Sequence, residues 1–326
     1  MSDTARRTPN IEVLPDGRFR VSAPGDLAMG TKALSWDTAY PPALVQAILA
    51  VKGTATVDEI RRDEDDAYVA AHLRDDLFAY RSPESFAGGR LLDFGCGAGA
   101  STMCLSRLLP STSIVGLDFR SDLLELAELR RRHYGCSRVR FACSPDPDTL
   151  PVDIGRFDFV VLSAVYEHLL PGERAPLMGR VWRLLNARGV LFLNQTPHRY
   201  WPIEMHTTRL PLINYLPDRL ALAAARAFSP RVPGHESWQR LLRRGIRGGT
   251  EREILRLLER AGDGTPQLLQ PIGLGLRDRI DLWYHVSNRA RPHPLKKVLW
   301  RALKILRRLS GTTLVPHLAL AIRKAA

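Results

Sequence analysis

The residues best placed to do chemistry lie between positions 91 and 100. Leu91-Leu92-Asp93-Phe94-Gly95-Cys96-Gly97-Ala98-Gly99-Ala100 sets an acid behind two apolar residues and then three glycines at alternate positions. Glycine at this spacing permits a tight turn and lets a ligand approach the main chain. A helix starting behind the turn offers N–H groups that its own backbone does not use. The combination predicts a nucleotide-type cofactor site. Gly95-x-Gly97-x-x-Ala100 followed by Asp118 formally fits a dinucleotide fingerprint. Asp93, however, would face a pyrophosphate unfavourably and suits a ligand carrying an ammonium or sulfonium. Asp93 also has a local alternative as a cap for the turn, as Asp118 has for a helix near Ser121.

Such a site needs elements that alternate. Strands are predicted over 90–94, 113–118, 138–143, 157–162 and 189–194, and helices over 100–109, 121–134 and 173–186. This order argues for an α/β fold with a doubly wound, mostly parallel sheet. Ligands in such sheets sit at the carboxyl ends of the strands. That geometry gathers Asp93, Asp118, the 144–148 loop, 163–168 and 194–198 along one rim. Ahead of the sheet, residues 1–30 read as a loosely ordered lead-in broken by Pro9, Pro15, Gly17, Pro24, Gly25 and Gly30. Helices over 43–51 and 58–80 follow, the second acidic at its start, as the helix dipole favours. Beyond the sheet, 197–248 breaks the alternation with Pro, Arg and aromatic residues and reads as a lid. A helix over 250–261 and a late strand over 281–287 come next. The expected division is an N-terminal extension and helical cover (1–84), a central domain carrying the lid (85–288), and a C-terminal tail (289–326).

Four segments in order resemble the class I S-adenosylmethionine-dependent methyltransferases of small-molecule type. Asp93 to Gly99 looks like their first motif, and Val115-Gly116-Leu117-Asp118 like the second. Asp146-Pro147-Asp148-Thr149-Leu150-Pro151 is similar to the loop whose acid approaches the adenine amino group. Phe157-Asp158-Phe159-Val160-Val161 through Tyr166-Glu167-His168-Leu169 is similar to the fourth-strand motif. The resemblance covers residues 85–200 and implies a seven-stranded Rossmann-like sheet with S-adenosylmethionine (SAM) as cofactor. It assigns Asp93, Gly95, Gly97, Gly99, Asp118 and Asp146 to cofactor binding, with the glycine backbone at the methionyl end and Asp118 on the ribose hydroxyls, a charge-assisted arrangement. Ser144-Pro145 departs from the glycine common before the adenine acid, which leaves Asp148 as a competitor of Asp146.

Methyl transfer is an in-line displacement in which positioning lowers most of the barrier, and an oxygen acceptor adds the need for a base. His168, by motif position, and His198, after the fifth strand, are the candidates. Tyr200, Trp201, Glu204 and His206 lie in a proline-anchored loop suited to shaping an acceptor pocket. Glu204 and His206 could join Glu167 and His168 around a divalent ion, as in ubiquinone-pathway O-methyltransferases read as metal-assisted. Those place a further acid where this chain has Ser163 and Ala164, so no metal is expected. The same Ser163-Ala164-Val165-Tyr166 stands where RNA methyltransferases carry an Asn-Pro-Pro-Tyr-like motif, which favours a small-molecule or lipid-linked acceptor, O-methylation first, over nucleic acid. An RNA methyltransferase and an inactive scaffold of the same fold are the alternatives.

Composition fits that class. Hydrophobic content of 45% and charged content of 25% are those of an ordinary globular chain. No run of eighteen apolar residues is present, and residues 1–10 lack an apolar h-region. Cys96, Cys104, Cys136 and Cys143 have no metal-ligand spacing. A cytoplasmic protein with free thiols is expected. The net charge of +13 is concentrated in 289–326, which hold ten Lys and Arg, while no acid follows Asp281. Within 295–309, apolar residues recur at helical spacing between Lys296, Lys297, Arg301, Lys304, Arg307 and Arg308. A basic amphipathic helix with a tryptophan suits an anionic membrane surface. It equally suits a helix packed on the body by its apolar face. The apolar segment 314–322 is expected to deepen an interfacial contact.

Overall fold

The computed structural model describes residues 9–24, 34–146, 149–151 and 153–325. Strands β1 (Asn10–Val13), β2 (Phe19–Ala23) and β3 (Leu34–Thr38) form an antiparallel sheet of their own. The expected loose lead-in is therefore ordered over 10–23, its turn made by Gly17 at φ +82°; Gly25 and Gly30 lie outside the described residues. Helices α1 (Pro42–Lys52), α2 (Thr56–Glu64) and α3 (Val69–Phe78) follow. The single helix expected over 58–80 is broken because Asp65 accepts from Ala67 N at 3.0 Å, an Asx turn that competes with helix continuation.

The central elements run β4 (Arg90–Phe94), α4 (Ala100–Leu108), β5 (Ser113–Asp118), α5 (Ser121–His133), β6 (Val139–Cys143), β7 (Phe157–Ser163), α6 (Pro171–Leu184) and β8 (Leu185–Pro197). Then come α7 (Asp218–Phe228), α8 (Trp238–Arg243), α9 (Glu251–Arg260), β9 (Thr265–Leu268), α10 (Arg279–Ala290), α11 (Pro294–Ser310) and β10 (His317–Ala325). Seven strands form one sheet in the order β6-β5-β4-β7-β8-β10-β9. β4 pairs in parallel with β5 and β7, while β10 is antiparallel to both β8 and β9. The order reverses between β4 and β7, which opens a crevice at their carboxyl ends. The sheet is the Rossmann-like, doubly wound one expected, with one reversed strand.

Two calculable consequences of strand period place the core on both faces. Leu318, Leu320 and Ile322 of β10 join the cluster under α6 and α9, while Ala321 joins the opposite cluster under α3 and α10. The segment read as an interfacial extension is thus an inner strand, and the boundary at 289 does not separate a tail from the body. The late strand expected over 281–287 is also overturned. Asp278 accepts from Ile280 N and Asp281 N at 3.0 Å and starts a helix there. Leu282 and Val286, one turn apart, then pack on the sheet.

The lid region 197–248 folds around Ile213, Ala221, Ala225, Val232, Leu241 and Ile246. α11 docks in an unexpected sense. Its Lys304 reaches Asp278 and Asp281 at 2.7 Å, Arg307 pairs with Asp278, and Trp300 Nε1 donates to Asp281 at 2.8 Å. Leu303 is its buried apolar residue, and Leu295, Val298, Ile305, Leu306 and Leu309 are exposed. Lys304 and Arg307 face the body because Asp278, which caps α10, and Asp281 within it supply the acids.

Candidate active site

The glycine turn hangs from β5. Gly95 N and Cys96 N donate to Leu117 O at 2.8 and 3.0 Å, and Gly97 N donates to Asp118 Oδ2 at 2.9 Å. The three glycines serve different ends. A Cβ on Gly97, at φ +53°, would meet nothing within 4 Å, so its backbone is the part open to a ligand. Gly99, at φ +82°, would meet Ala127 Cβ at 2.7 Å and lines no cavity at the strand ends; it allows α4 to close on α5. Close packing against α5 is by itself a reason for glycine at this position.

Asp93 is buried and accepts from Ser101 Oγ at 2.7 Å and Thr102 Oγ1 at 2.6 Å. Burial raises its pKa and the two hydroxyls oppose the rise. It lines neither cavity at the strand ends, whereas Ser101, which it holds, lines one. Asp118 takes Gly97 N on one oxygen and Arg120 N, at 3.0 Å, on the other. Each oxygen keeps a second acceptor site. Asp146 accepts from Thr149 Oγ1 at 2.8 Å on the same side; Asp148 lies outside the described residues.

Two cavities meet at the crevice. The larger, about 510 Å³, is lined by Leu117, Asp118, Phe119, Asp146, Val165 and His168. The second, about 360 Å³, is lined by Arg62, Tyr68, His72, Gly97, Ser101 and Gln195. Gly95 and Ala164 belong to both. Arg62 holds no ion pair among the described residues, so it is available to an anionic group. Ala164 (φ +56°) and Gln195 (φ +64°) are non-glycine residues in the left-handed region, a costly conformation that tends to cluster at ligand sites. The set fits an S-adenosylmethionine-like ligand: a diol acceptor in Asp118, open main chain at Gly97, and a guanidinium for a carboxylate.

The structure separates the expected acceptor residues. His168 Nδ1 lies 2.7 Å from the Arg243 carbonyl, so it donates and leaves Nε2 as acceptor. It stands on the Asp118 side of the crevice. Its neighbour Glu167 is buried, accepts from Thr196 Oγ1 at 2.8 Å, and has a pKa raised by burial against the His168 charge. Glu167, His168 and His206 each offer a ligand atom within 4.8 Å of the others. Glu204 does not join them. Its carboxylate accepts from the backbone N–H groups of His206, Thr207 and Thr208 and closes a turn.

His198 is buried, donates its N–H to Pro316 O, and accepts from Tyr200 N at its Nδ1. Burial pushes its pKa down to about 4, and it lines neither cavity at the crevice. Its imidazole is thus a weak proton acceptor, set away from the crevice. Trp201 packs with Ile280, Leu303 and Val315, and Tyr200 lies against Tyr215 with ring centroids 6.3 Å apart. Trp201 ties the lid to α10 and α11, Tyr200 packs within the lid, and neither lines the two cavities at the crevice.

In their place α3 contributes Val69, His72 and Leu73 to the second cavity. Their i, i+3, i+4 spacing is a helix-face signal, but nothing in a linear reading says which sheet edge that face meets. Arg62 and Gln195 carry no motif signal at all.

Residues 91–189 match the family model described as a methyltransferase domain. Among curated proteins, the demethylmenaquinone methyltransferase of Lactococcus lactis subsp. lactis is 28% identical over 131 residues, 40% of this chain and 51% of that protein. The carboxy-S-adenosyl-L-methionine synthase of Campylobacter curvus is 26% identical over 109 residues, 33% of this chain and 45% of that protein. The chain spans about half the length of these two relatives. Among solved structures, the YcgJ protein of Bacillus subtilis aligns over 79% of this chain and 99% of that one at 16% identity and a TM-score of 0.44.

Proposed function

We propose that residues 91–189, which match a methyltransferase domain, form a class I S-adenosylmethionine-dependent methyltransferase domain, and that the protein methylates a hydroxyl group on a small or lipid-linked molecule, in the cytoplasm at a membrane face. The observation that carries the first half is Asp118, fixed by two main-chain N–H groups beside the open backbone of Gly97.

When bound, SAM supplies an electrophilic methyl group on a positive sulfur. Asp118 accepts from the ribose hydroxyls, and Asp146 faces the adenine side. Arg62 pairs with the carboxylate of the methionyl end. Gly95 and Ala164, shared by both cavities, keep the walls close where the two meet. Calorimetric titration with SAM tests this reading. Micromolar-range binding is expected, and no measurable heat overturns it.

The membrane half rests on α11. No described helix is long and apolar enough to cross a membrane. α11 instead turns Leu295, Val298, Ile305 and Leu309 outward, with Lys297, Arg301 and Arg308 beside them. Apolar side chains flanked by cations that hold no ion pair among the described residues suit the surface of an anionic bilayer, each basic residue contributing about 1 kcal/mol near it. Flotation is expected to carry the protein with phosphatidylglycerol-containing vesicles and not with pure phosphatidylcholine. Val298→Glu with Leu309→Glu should leave it at the bottom of the gradient. Equal partitioning of wild type and the double variant refutes membrane docking.

A further inference from the structure

A third cavity, of about 300 Å³, adjoins the methionyl side of the crevice, because His72 and Gln195 line both. Its remaining wall is mixed. Trp283, Val286 and Leu318 are apolar, while Asp76 and Arg279 are buried polar groups. His72 and Asp76 are one turn apart on α3 and so share a face.

The polar atoms here are unevenly satisfied. Arg279 has one nitrogen on Glu251 and, at 3.4 Å, on Thr313. Its Nη1 is buried and has no partner among the described residues, and the same holds for His72 Nδ1. A buried unpartnered guanidinium N–H is costly, and a ligand oxygen would remove that cost. The two adjacent acids differ as well. Asp75 pairs with Arg289 at 2.6 Å and lies 3.7 Å from His285 Nε2. Asp76 holds no ion pair among the described residues and meets the Gln195 amide.

We propose that this cavity binds the methyl acceptor, a ring-sized molecule bearing a phenolic or enolic hydroxyl and a second, carbonyl or carboxylate oxygen, with Asp76 receiving the hydroxyl proton and Arg279 Nη1 holding the second oxygen. The inference rests on the methyltransferase reading and names the acceptor side of the same site. The acceptor oxygen forms the new C–O bond to the methyl carbon as the C–S bond breaks. The C–S electron pair stays on sulfur, and the acceptor proton passes to the Asp76 carboxylate. Burial, then the charge of Asp75, push the Asp76 carboxyl up to about 8, against the Gln195 amide and Arg289. His72, Tyr80, Arg279 and His317 are the other titratable groups around it. Proton acceptance therefore improves as pH rises through that value.

The same shift has a sign for stability. Between the ordinary carboxyl value of 3.8 and about 8, the folded chain holds a proton that the unfolded chain has lost. Stability from this group is complete below that window and falls as pH rises through it. Asp76→Asn is expected to leave Tm unchanged at the acid end and to raise it, relative to wild type, by about 2–4 °C or more above the window. A Tm difference that does not vary with pH refutes the buried, unpaired state of Asp76.

The acceptor assignment is tested with 3-hydroxybenzoate, phenol and benzoate, titrated into the full chain saturated with S-adenosylhomocysteine. 3-Hydroxybenzoate should bind about tenfold more tightly than either single-group probe, one charge-assisted hydrogen bond apart. Val286→Trp, which fills the cavity, should abolish that binding and leave S-adenosylhomocysteine binding intact. No binding of 3-hydroxybenzoate at millimolar concentration, or binding indifferent to Val286→Trp, overturns the proposal. With SAM, Asp76→Asn should slow methylation of 3-hydroxybenzoate by about 100-fold and abolish its rise with pH, while Asp76→Glu keeps the rise. Binding without methyl transfer, or an unchanged pH profile in Asp76→Asn, overturns the role of Asp76. Failure of wild type to bind S-adenosylhomocysteine at all counts against the methyltransferase reading itself.

Discussion

Asp118→Ala is expected to weaken SAM binding by about 100-fold, or ~3 kcal/mol. Two effects add. The variant loses an ionised acceptor for two ribose hydroxyls, each hydrogen bond to a charged group being worth roughly 1.5–3 kcal/mol. It also frees Gly97 N and Arg120 N, which the carboxylate holds at 2.9 and 3.0 Å, so the open backbone at Gly97 is no longer fixed. Asp118→Asn separates the two. It keeps one oxygen acceptor for the turn but loses the charge, and it should fall between wild type and alanine. Isothermal titration reads both. Wild-type affinity in Asp118→Ala would remove the residue from the cofactor site.

Arg130→Ala is expected to destabilise the fold by about 3–5 kcal/mol, because removing one partner of a buried ion pair strands the other. The side chain is fully buried on α5. Its Nη1 donates to Glu59 Oε1 at 2.9 Å and to Ala98 O at 2.6 Å, Nη2 donates to Glu59 O at 2.7 Å, and Nε lies 3.4 Å from Asp63 and 3.1 Å from the Tyr40 hydroxyl. One guanidinium thus ties α2 and the segment before α1 to the back of the glycine turn. Urea denaturation measures the loss. Combining Arg130→Met with Asp63→Asn, which removes one of the stranded charges, should recover part of it, since these residues couple directly. Equal loss in the single and double variants would contradict the assigned coupling.

The glycine turn was readable from sequence because its residues are neighbours in the chain. An acid ending a strand, positive-φ glycines and a helix start are local requirements, and local requirements leave local patterns. The same holds for the ends of β4 and β5 and for α11. Local patterns misled where two elements have similar signatures. Leu282, Tyr284 and Val286 alternate as a strand would, yet the Asp278 cap and the packing of Leu282 with Val286 decide for a helix. Leu318 to Ile322 is as apolar as an interfacial segment, and only the gap between β8 and β9 shows it to be a strand.

The histidines mark the boundary more sharply. His168 and His198 have the residue type a base needs, but residue type says nothing about desolvation or facing. The fold turns His198 into the loop next to Pro316, where burial lowers its pKa, and sets His168 in the wall of the cavity that Asp118 also lines. Asp76, by contrast, is one acid in an acidic stretch until α3 packs against the sheet and α10 and leaves its carboxyl in a cavity.

By itself, the sequence determined the glycine turn and the sheet that presents it, because glycine conformations, strand ends and helix starts depend on neighbours within a few residues. The tertiary structure alone decided which acids are paired, which face of α11 meets solvent, and which polar groups stand beyond the methionyl side. Those outcomes depend on burial and on charges brought from distant segments, as Asp278 is to Lys304 and Arg289 to Asp75, and no spacing along the chain encodes the dielectric or the partner that each group meets.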